Sequence, residues 1–348
     1  PGPGSSVESL LVPCLFQPYG GSGMHDPTPA ASGDQRSEYS VRHVLSLFDL
    51  STDEVRRVLD LSSELKAKFK RGVRPNVLQS QVLGLLFQKQ SLRTRVSFES
   101  GVRQLGGTSL YLADDVGFGK REPTKDIATI LGSYVDAIVF RGYRHQDCID
   151  LAKYSPCPVI NGLTDYTHPC QALADALTAI ETFGADQKLT LTYIGDGNNV
   201  SRSLAIVCAH LGWSFRIAAP KAYWFEESFF DTVRKHLPDA DLVATDDPKA
   251  AAADSHVLYT DVWTSMGQEA EKEARLKAFA DYQVNEALMS LANPEAIFLH
   301  CLPAIRGEEV SEGVIDGPQS RIYQQAENRM HAQKGLLFWL LHDRLCQD

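Results

Sequence analysis

The chain has 348 residues, of which 43% are hydrophobic and 22% are charged. These values are typical of a soluble globular protein of about two domains, and they exclude disordered, collagen-like and coiled-coil proteins. The formal net charge of -10 disfavours nucleic acid and anionic membranes as partners, because a negative surface repels phosphate groups. A small anionic substrate is compatible with this charge, since a few arginines in a cleft matter more to it than the overall sum.

The longest apolar runs, such as residues 335–341, are far shorter than the ~20 residues that cross a bilayer. No membrane span is therefore expected.

The odd number of cysteines and the lack of a C-x-x-C pair predict free thiols in a reducing compartment, with no disulfide and no structural zinc. The cysteines are Cys14, Cys148, Cys157, Cys170, Cys208, Cys301 and Cys346.

Residues 1–40 are rich in Gly, Pro and Ser, and this composition predicts a flexible lead-in, which a tag or a trimmed leader would also resemble. The first helix follows it. Residues 51–54 form a Ser-Thr-Asp-Glu capping box, apolar residues recur at helical spacing from Val55 to Phe69, and Gly72 closes the helix.

Strand-like and helix-like segments then alternate along the chain, as they do in α/β proteins. Strands are predicted at residues 82–87, 109–112, 137–140, 159–161, 189–194, 215–219, 242–244, 257–260 and 297–299. Long helices are predicted at about residues 92–105, 168–183 and 327–345. We therefore predict the α/β class, with two domains, each a largely parallel sheet flanked by helices, joined by long interdomain helices.

The most informative motif follows the first strand, where Ser-Leu-Arg-Thr-Arg at residues 91–95 begins a helix. Backbone N–H groups, the helix dipole, the hydroxyls of Ser91 and Thr94 and the guanidinium of Arg93 would converge there on one phosphate. The alternative for this pattern is an ordinary capped helix with surface arginines.

A second motif lies at the start of the linking helix, where His168 and Gln171 are three residues apart and share a face. His168 could donate to a carbonyl oxygen that gains negative charge, and Gln171 could accept from an amide. A capping histidine beside a solvated glutamine would give the same pattern.

The Gly-rich turn after the strand at 189–194 superficially suggests dinucleotide binding, but the third glycine of that fingerprint is missing. What is left is a ligand loop in which Asn199 could bind a polar group. Three further candidates follow at strand or helix ends: Asp261 as a carboxylate for an amino group, the thiol of Cys301, and Arg329 near the start of the last helix. An inert buried cysteine and a surface arginine are the alternatives for the last two. A Cys/His hydrolase is disfavoured, because His300 would point away from Cys301.

Taken together, these motifs resemble the aspartate and ornithine carbamoyltransferase family over about residues 41–345. The S-x-R-T-R motif at 91–95 and the H-P-x-Q motif at 168–171 resemble its carbamoyl phosphate half. The D-x-x-x-S-M-G loop at 261–267 and H-C-L-P at 300–303 resemble its ornithine branch.

The resemblance implies roles for individual residues. Carbamoyl phosphate would be held by Ser91, Leu92, Arg93, Thr94, Arg141, His168, Gln171 and Arg329. Ornithine would be held by Asn199, Asp261, Ser265, Met266, Cys301 and Leu302. Catalysis would fall to Arg93, Arg141, His168, Asp261, Cys301 and Arg329. Many members have threonine where this chain has Leu92, which removes a hydroxyl but keeps a backbone N–H.

The resemblance further implies carbamoyl transfer to the δ-amine of L-ornithine without metal or cofactor, closure of the two domains, and a homotrimer in the cytoplasm or an organelle matrix. Residues 41–167 with 327–348 would bind carbamoyl phosphate, 184–326 would bind ornithine, and 168–183 would be the interdomain helix. Other possibilities are another amine acceptor such as putrescine, a nicotinamide-binding protein, and a catalytically silent binding partner of other enzymes.

Overall fold

The computed structural model describes residues 41–113, 117–118, 121–264 and 269–343. The predicted lead-in at 1–40 lies outside these residues. The strands are β1 (Val82–Phe87), β2 (Thr108–Leu112), β3 (Ala137–Arg141), β4 (Val159–Leu163), β5 (Thr190–Ile194), β6 (Ser214–Ala218), β7 (Asp241–Thr245), β8 (Val257–Thr260) and β9 (Ile297–His300).

The α-helices of the described residues flank these strands. They are α1 (Thr52–Lys70), α2 (Leu92–Gln104), α3 (Thr124–Tyr134), α4 (His145–Tyr154), α5 (Pro169–Phe183), α6 (Asn199–Leu211), α7 (Glu227–His236), α8 (Pro248–Ala252), α9 (Lys272–Ala278), α10 (Glu286–Met289), α11 (Glu312–Ile315) and α12 (Ile322–Phe338).

The strands form two parallel sheets, which confirms the predicted fold class. The first sheet has the order β2-β1-β3-β4, and the second has the order β7-β6-β5-β8-β9. All pairings within both sheets are parallel. Each sheet therefore has all its strands ending at one edge, where loops can bring polar side chains together.

Local sequence explains where the predicted helices begin. The hydroxyl of Ser51 accepts from the backbone N–H of Glu54 and so caps α1. The carboxylate of Glu54 accepts from the backbone N–H of Ser51, as the capping box predicts. Gly72, with φ at 81°, ends this helix in a left-handed conformation that favours glycine. Pro169 occupies the first turn of α5, where its missing N–H costs nothing.

Two helices, α5 and α12, form the interior of the molecule. Residues 169–179 of α5 are all buried. The last helix, α12, packs against α1, α2 and α5 and also reaches β9. Because α5 is the connection from β4 to β5, these two helices join the two sheets, as the sequence predicts for its long helices.

The start of the last helix was predicted wrongly. The sequence predicts it at Glu327 and places Arg329 near its first turn, whereas α12 begins at Ile322 and Arg329 lies in its third turn. The preceding segment is held to β9, since Phe298 donates to the carbonyl of Gln319 and Arg321 donates to the carbonyl of Phe298, 3.0 Å each. This pairing ends at Arg321 and so fixes where the helix begins. At its other end, α12 continues into a π-helical turn, Trp339–Asp343.

The described cysteines, Cys148, Cys157, Cys170, Cys208 and Cys301, are free thiols. Burial raises the pKa of Cys170 to about 11 and holds the pKa of Cys148 and Cys208 well above the ordinary range. Within the described parts of the chain, no helix is both long and apolar enough to cross a membrane.

The contact between α1 and α12 depends on a glycine. A Cβ added at Gly335 would lie 2.0 Å from Oγ of Ser62 and 2.6 Å from the carbonyl oxygen of Val58. Gly335→Ala should therefore lower the free energy of unfolding by about 1–3 kcal/mol through overpacking, measured by urea denaturation. Ser63→Ala, at the exposed neighbour of Ser62 on α1, is the control and should change stability little. Equal midpoints for both variants would contradict this packing.

Candidate active site

A cavity of about 870 Å³ lies where the strands of both sheets end. Segments that follow β1, β4, β5, β6, β8 and β9 line it, together with the last residue of β3 and Arg329 of α12. The predicted site residues that it brings together are Ser91, Leu92, Arg93, Thr94, Arg141, His168, Gln171, Asn199, Asp261, Cys301, Leu302 and Arg329. The predicted Ser265 and Met266 lie outside the described residues.

The N-terminus of α2 forms one wall of the cavity. Ser91 is its N-cap and accepts from the backbone N–H of Thr94 at 3.2 Å. The N–H groups of the first helical turn have no partner within a helix, so those of Leu92 and Arg93 are suited to an anion. The side chain of Leu92 is apolar and 77% exposed, so at this position only the backbone N–H can donate to an anion.

Two buried arginines meet at the hydroxyl of Thr94. Arg141 donates to Oγ1 of Thr94 at 3.2 Å, and Arg329 donates to the same oxygen at 3.3 Å. Burial and the neighbouring charges of Arg329 and Arg93 lower the pKa of Arg141 to about 10. Burial also lowers the pKa of Arg329. Both groups remain cationic at neutral pH, and the pairing of like charges favours a dianion between them.

His168 and Gln171 contact Arg329. Arg329 donates to Oε1 of Gln171, and its Nη1 lies 3.4 Å from Nε2 of His168. His168 makes no capping bond with its side chain, so the capping alternative does not apply. Burial, then the charges of Arg329 and Arg141, hold the pKa of His168 well below its ordinary value. The ring is therefore neutral at pH 7, with Nε2 as the acceptor and the hydrogen on Nδ1.

Asp261 and Cys301 face each other at the ends of β8 and β9. The thiol of Cys301 donates to Oδ1 of Asp261 at 3.2 Å. Asp261 also accepts from the backbone N–H of Val262 at 2.8 Å and from Nδ2 of Asn198 at 3.3 Å. Burial and then the charge of Asp261 hold the pKa of Cys301 well above its ordinary value, so this cysteine is a thiol and not a thiolate nucleophile.

The Gly-rich turn does not have the free helix N-terminus that a dinucleotide pyrophosphate requires. Asn198 accepts from the N–H groups of Val200 and Ser201, 2.9 Å each, and so caps α6. Asn199, the predicted ligand, donates to the carbonyl oxygen of Thr164 at 2.6 Å. This arrangement argues against the nicotinamide alternative.

Arg93 reaches across the cavity from α2, beside the first sheet, to the segment that follows β9 of the second sheet. Its Nη2 donates to the carbonyl oxygen of Leu302 at 2.6 Å. Leu302 has φ at 59°, an unusual conformation for a residue with a branched side chain. Such strain is typical of functional segments, and here it belongs to the loop that presents the carbonyl to Arg93.

Sequence reasoning missed a buried network beneath the cavity. Asp175 accepts at Oδ1 from Nε2 of Gln171 at 2.6 Å and from Nε2 of Gln325 at 2.7 Å. Gln325 also donates to the hydroxyl of Tyr259 at 3.1 Å and accepts from the backbone N–H of His300 at 2.9 Å. These are buried residues. The four-residue spacing of Gln171 and Asp175 was the available signal, since it places both on one helix face.

Sequence reasoning also missed an ion pair at the rim of the cavity, between Arg275 and Asp196. Arg275 donates to Asp196 at 2.8 Å and to the backbone carbonyl of Trp263 at 3.1 Å. Both bonds connect α9 to loops that line the cavity. Nothing in the sequence placed these residues side by side, because 79 residues separate Arg275 from Asp196.

Asp261, His300 and Cys301 have possible metal-binding atoms within 4.8 Å of one another. The ring nitrogens of His300 are already engaged, however. Nδ1 accepts from the N–H of Leu302 at 2.9 Å, and Nε2 lies 3.2 Å from the carboxylate of Glu309. A neutral histidine that donates to Glu309 has no lone pair left for a cation, so this cluster does not fit a metal site in this arrangement.

Comparison with known families covers both halves of the chain. Residues 42–181 match the carbamoyl-P binding domain of aspartate/ornithine carbamoyltransferase, and residues 187–340 match the Asp/Orn binding domain. The fold and the cavity are thus those of a two-domain carbamoyltransferase, an enzyme of the transferase class. The chain belongs to the aspartate/ornithine carbamoyltransferase family, and this confirms the resemblance drawn from its motifs.

Similar proteins include an ornithine carbamoyltransferase from Wolinella succinogenes, 48% identical over 86% of this chain and 98% of its own. Another, from Anoxybacillus flavithermus, is 50% identical over 85% of this chain and 96% of its own. The structure of ornithine carbamoyltransferase from Pyrococcus furiosus superimposes with a TM-score of 0.83 at 44% identity, covering 86% of this chain and 97% of the other.

Asp175 gives stability a pH dependence. Burial raises the pKa of its carboxyl group to about 7, despite hydrogen bonds from Gln171 and Gln325 that lower it, against about 3.9 in an unfolded chain. The folded protein thus keeps a proton that the unfolded chain has lost between pH 4 and 7, and this group's contribution to stability falls as pH rises through that range.

Asp175→Asn removes this titration. Relative to the variant, the wild type should lose up to about 4 kcal/mol of unfolding free energy between pH 4 and 7, since each pKa unit corresponds to ~1.4 kcal/mol. Urea denaturation at several pH values measures this difference. Asp60→Asn, at an exposed position of α1, is the control and should follow the wild type. A difference between wild type and Asp175→Asn that is independent of pH would contradict the raised pKa.

Proposed function

We propose that this protein transfers the carbamoyl group of carbamoyl phosphate to the δ-amine of L-ornithine, giving L-citrulline and phosphate. The observation that carries this proposal is the convergence of Arg93, Arg141 and Arg329 in one cavity that also contains the Asp261–Cys301 pair. The first group suits a dianion, and the second suits an amine. The names of the similar proteins favour ornithine over putrescine as the acceptor.

The phosphate would bind at the start of α2, where Ser91, the N–H of Leu92, Arg93 and Thr94 face the cavity with Arg141. Phosphate oxygens accept strongly from guanidinium groups and from helix N-termini. The carbamoyl oxygen would then lie toward Arg329 and His168, and the carbamoyl nitrogen toward the accepting Oε1 of Gln171. Negative charge that develops on this oxygen would meet donors already in place.

The acceptor would enter from the other side of the cavity. Asn199, Asp261, Ser265 and Met266 would hold its α-amino-acid end, with its side-chain amine near Cys301 and Leu302. The ammonium group must release one proton to solvent before it attacks, and the nearby guanidinium charges favour this release, because like charges lower the pKa of an ammonium group. The protonated thiol of Cys301 is not the nucleophile.

In the reaction, the amine nitrogen forms a bond to the carbamoyl carbon and gives a tetrahedral intermediate. The bond from this carbon to the bridging phosphate oxygen then breaks, and the electron pair leaves with the phosphate. The proton released from the attacking nitrogen ends on a phosphate oxygen. Arg93, Arg141 and Arg329 stabilise the departing dianion, and the two substrates are held in register.

The finer organisation is also proposed. Residues 41–167 with 327–348 form the carbamoyl phosphate half, 184–326 form the ornithine half, and 168–183 connect them. The chain works as a homotrimer, which is supported by apolar residues exposed on α2 and on the edge strand β2, Leu92, Val96 and Leu110. It acts in arginine biosynthesis in the cytoplasm or an organelle matrix, where its free thiols stay reduced.

The acceptor is tested by measuring carbamoylated product from carbamoyl phosphate with ornithine, aspartate or putrescine in parallel. We expect citrulline from ornithine, with kcat/KM at least about 100-fold above that for either other amine. A preference for putrescine or aspartate would overturn the acceptor assignment. The absence of any product with all three amines would favour a catalytically silent role.

The phosphate half is tested by Arg93→Gln. Loss of this guanidinium should lower kcat/KM for carbamoyl phosphate by about 100-fold or more, as for removal of one donor to a developing charge. Arg103→Gln, at the exposed last turn of the same helix, is the matched control and should retain full activity. Circular dichroism would verify that both variants are folded. Near-normal turnover by Arg93→Gln would refute its role.

A further inference from the structure

We infer that Asp175 is a positioning residue, which holds Gln171 with its amide oxygen toward Arg329 and the cavity and thereby fixes the orientation of the bound carbamoyl group. The inference rests on the proposed carbamoyl transfer. Asp175 itself is fully buried and is not part of the cavity lining. It acts through the residue one helical turn before it.

An amide side chain has an oxygen end and a nitrogen end, and its neighbours decide which way it points. In Gln171 the nitrogen donates to Oδ1 of Asp175 at 2.6 Å, and the oxygen accepts from Arg329. The reversed amide would place its oxygen against the carboxylate and its N–H groups against a guanidinium. Both contacts would then be repulsive, so Asp175 and Arg329 together determine a single orientation.

This orientation matters because a carbamoyl group also has an oxygen end and a nitrogen end. Arg329 provides donors, which suit the carbamoyl oxygen. The amide oxygen of Gln171 provides an acceptor, which suits the carbamoyl N–H groups. A reversed Gln171 would offer N–H groups to the carbamoyl nitrogen, and the carbon would no longer present its reactive face to an amine near Cys301.

Asp175 also connects this half of the cavity to the opposite one. The same Oδ1 accepts from Nε2 of Gln325 at 2.7 Å, and Oε1 of Gln325 accepts from the backbone N–H of His300 at 2.9 Å. His300 immediately precedes Cys301, whose thiol donates to Asp261. A single buried carboxylate oxygen thus connects, through hydrogen bonds, the Gln171 amide to the His300–Cys301 segment, which the proposal places beside the attacking amine.

The hydrogen-bonding pattern requires an acceptor oxygen at this position and does not require its negative charge. Both amides donate to Oδ1, whereas Oδ2 has no hydrogen-bond partner among the described residues. A proton on Oδ2 would therefore leave both bonds in place. An asparagine can present the same acceptor, while an aliphatic side chain cannot, and this difference separates positioning from charge.

The experiment compares Asp175→Asn, Asp175→Leu and Asp175→Ala in the full-length protein. Thr178→Val is the control. It alters another fully buried polar residue of α5, whose hydroxyl bonds to Ala174 and Asn328 and does not contact Gln171. We expect Asp175→Asn to keep kcat/KM for carbamoyl phosphate within about 5-fold of wild type. The Leu and Ala variants should raise KM for carbamoyl phosphate by at least about 20-fold, with the KM for ornithine changed less than about 3-fold.

A second measurement separates positioning from general damage to the fold. If Asp175 acts through Gln171, then adding Asp175→Ala to Gln171→Ala should cost little beyond Gln171→Ala alone. The dissociation constant of carbamoyl phosphate, measured by calorimetry, should follow the same pattern without any turnover. Thr178→Val should lower the thermal midpoint and leave both constants unchanged.

Three results would overturn the inference. The first is an unchanged affinity for carbamoyl phosphate in a folded Asp175→Ala or Asp175→Leu variant. The second is a loss of kcat/KM in Asp175→Asn as large as in Asp175→Leu, and the third is additive losses of affinity in the double variant. The proposed function fails separately, if the wild type itself forms no citrulline. Because the wild-type assay comes first, the two failures are distinguishable.

Discussion

The arrangement of this site depends on two buried guanidinium groups that share one hydroxyl. Arg141 and Arg329 both donate to Thr94, and burial lowers the pKa of each. Among the described residues, the hydrogen bonds of both guanidinium groups go to neutral side chains, which also include Gln171 and His168. Buried charge with only neutral partners is costly. A bound dianion would relieve that cost, so these two arginines favour anion binding at the expense of stability.

The rest of the fold can be understood as the support for this pair. One arginine ends a strand, the other lies on α12, and the hydroxyl lies on α2, so three separate elements must be held in fixed relation. The tight contact at Gly335 and the buried face of α5 provide this rigidity. Several buried polar groups of these two helices bond one another, as Asp175 and Gln325 do.

Much of this could be predicted from sequence, for physical reasons that differ between elements. Most strands were located because strands buried on both faces are continuous apolar runs, although β2 and β7 are partly exposed. Helix α1 was located because its capping box and amphipathic period agree. The beginning of α12 was predicted wrongly, because a tertiary pairing with β9 determines it. Ser91, Arg93 and His168 could be assigned to a ligand cavity from the sequence, because each belongs to a motif that lies at the start of a helix.

Other features have no local signal. Asp175 has the same local appearance as a solvated helix carboxylate, and only the fold buries it. Asn198, not Asn199, caps α6, and adjacent identical residues cannot be separated by spacing. The contact of Arg93 with Leu302 joins residues 209 positions apart. Long-range pairings of this kind decide the chemistry of the cavity, and no pattern of neighbours along the chain encodes them.

The placement of the two sheets has an evolutionary consequence. The groups suited to the phosphate follow strands of the first sheet or lie on α12, whereas those suited to the amine follow β5, β8 and β9. Changes in the latter loops alone would alter which nucleophile is accepted while the activated donor stays bound as before. An ancestor with this architecture could therefore diversify by rebuilding a single rim, and a protein engineer could follow the same route.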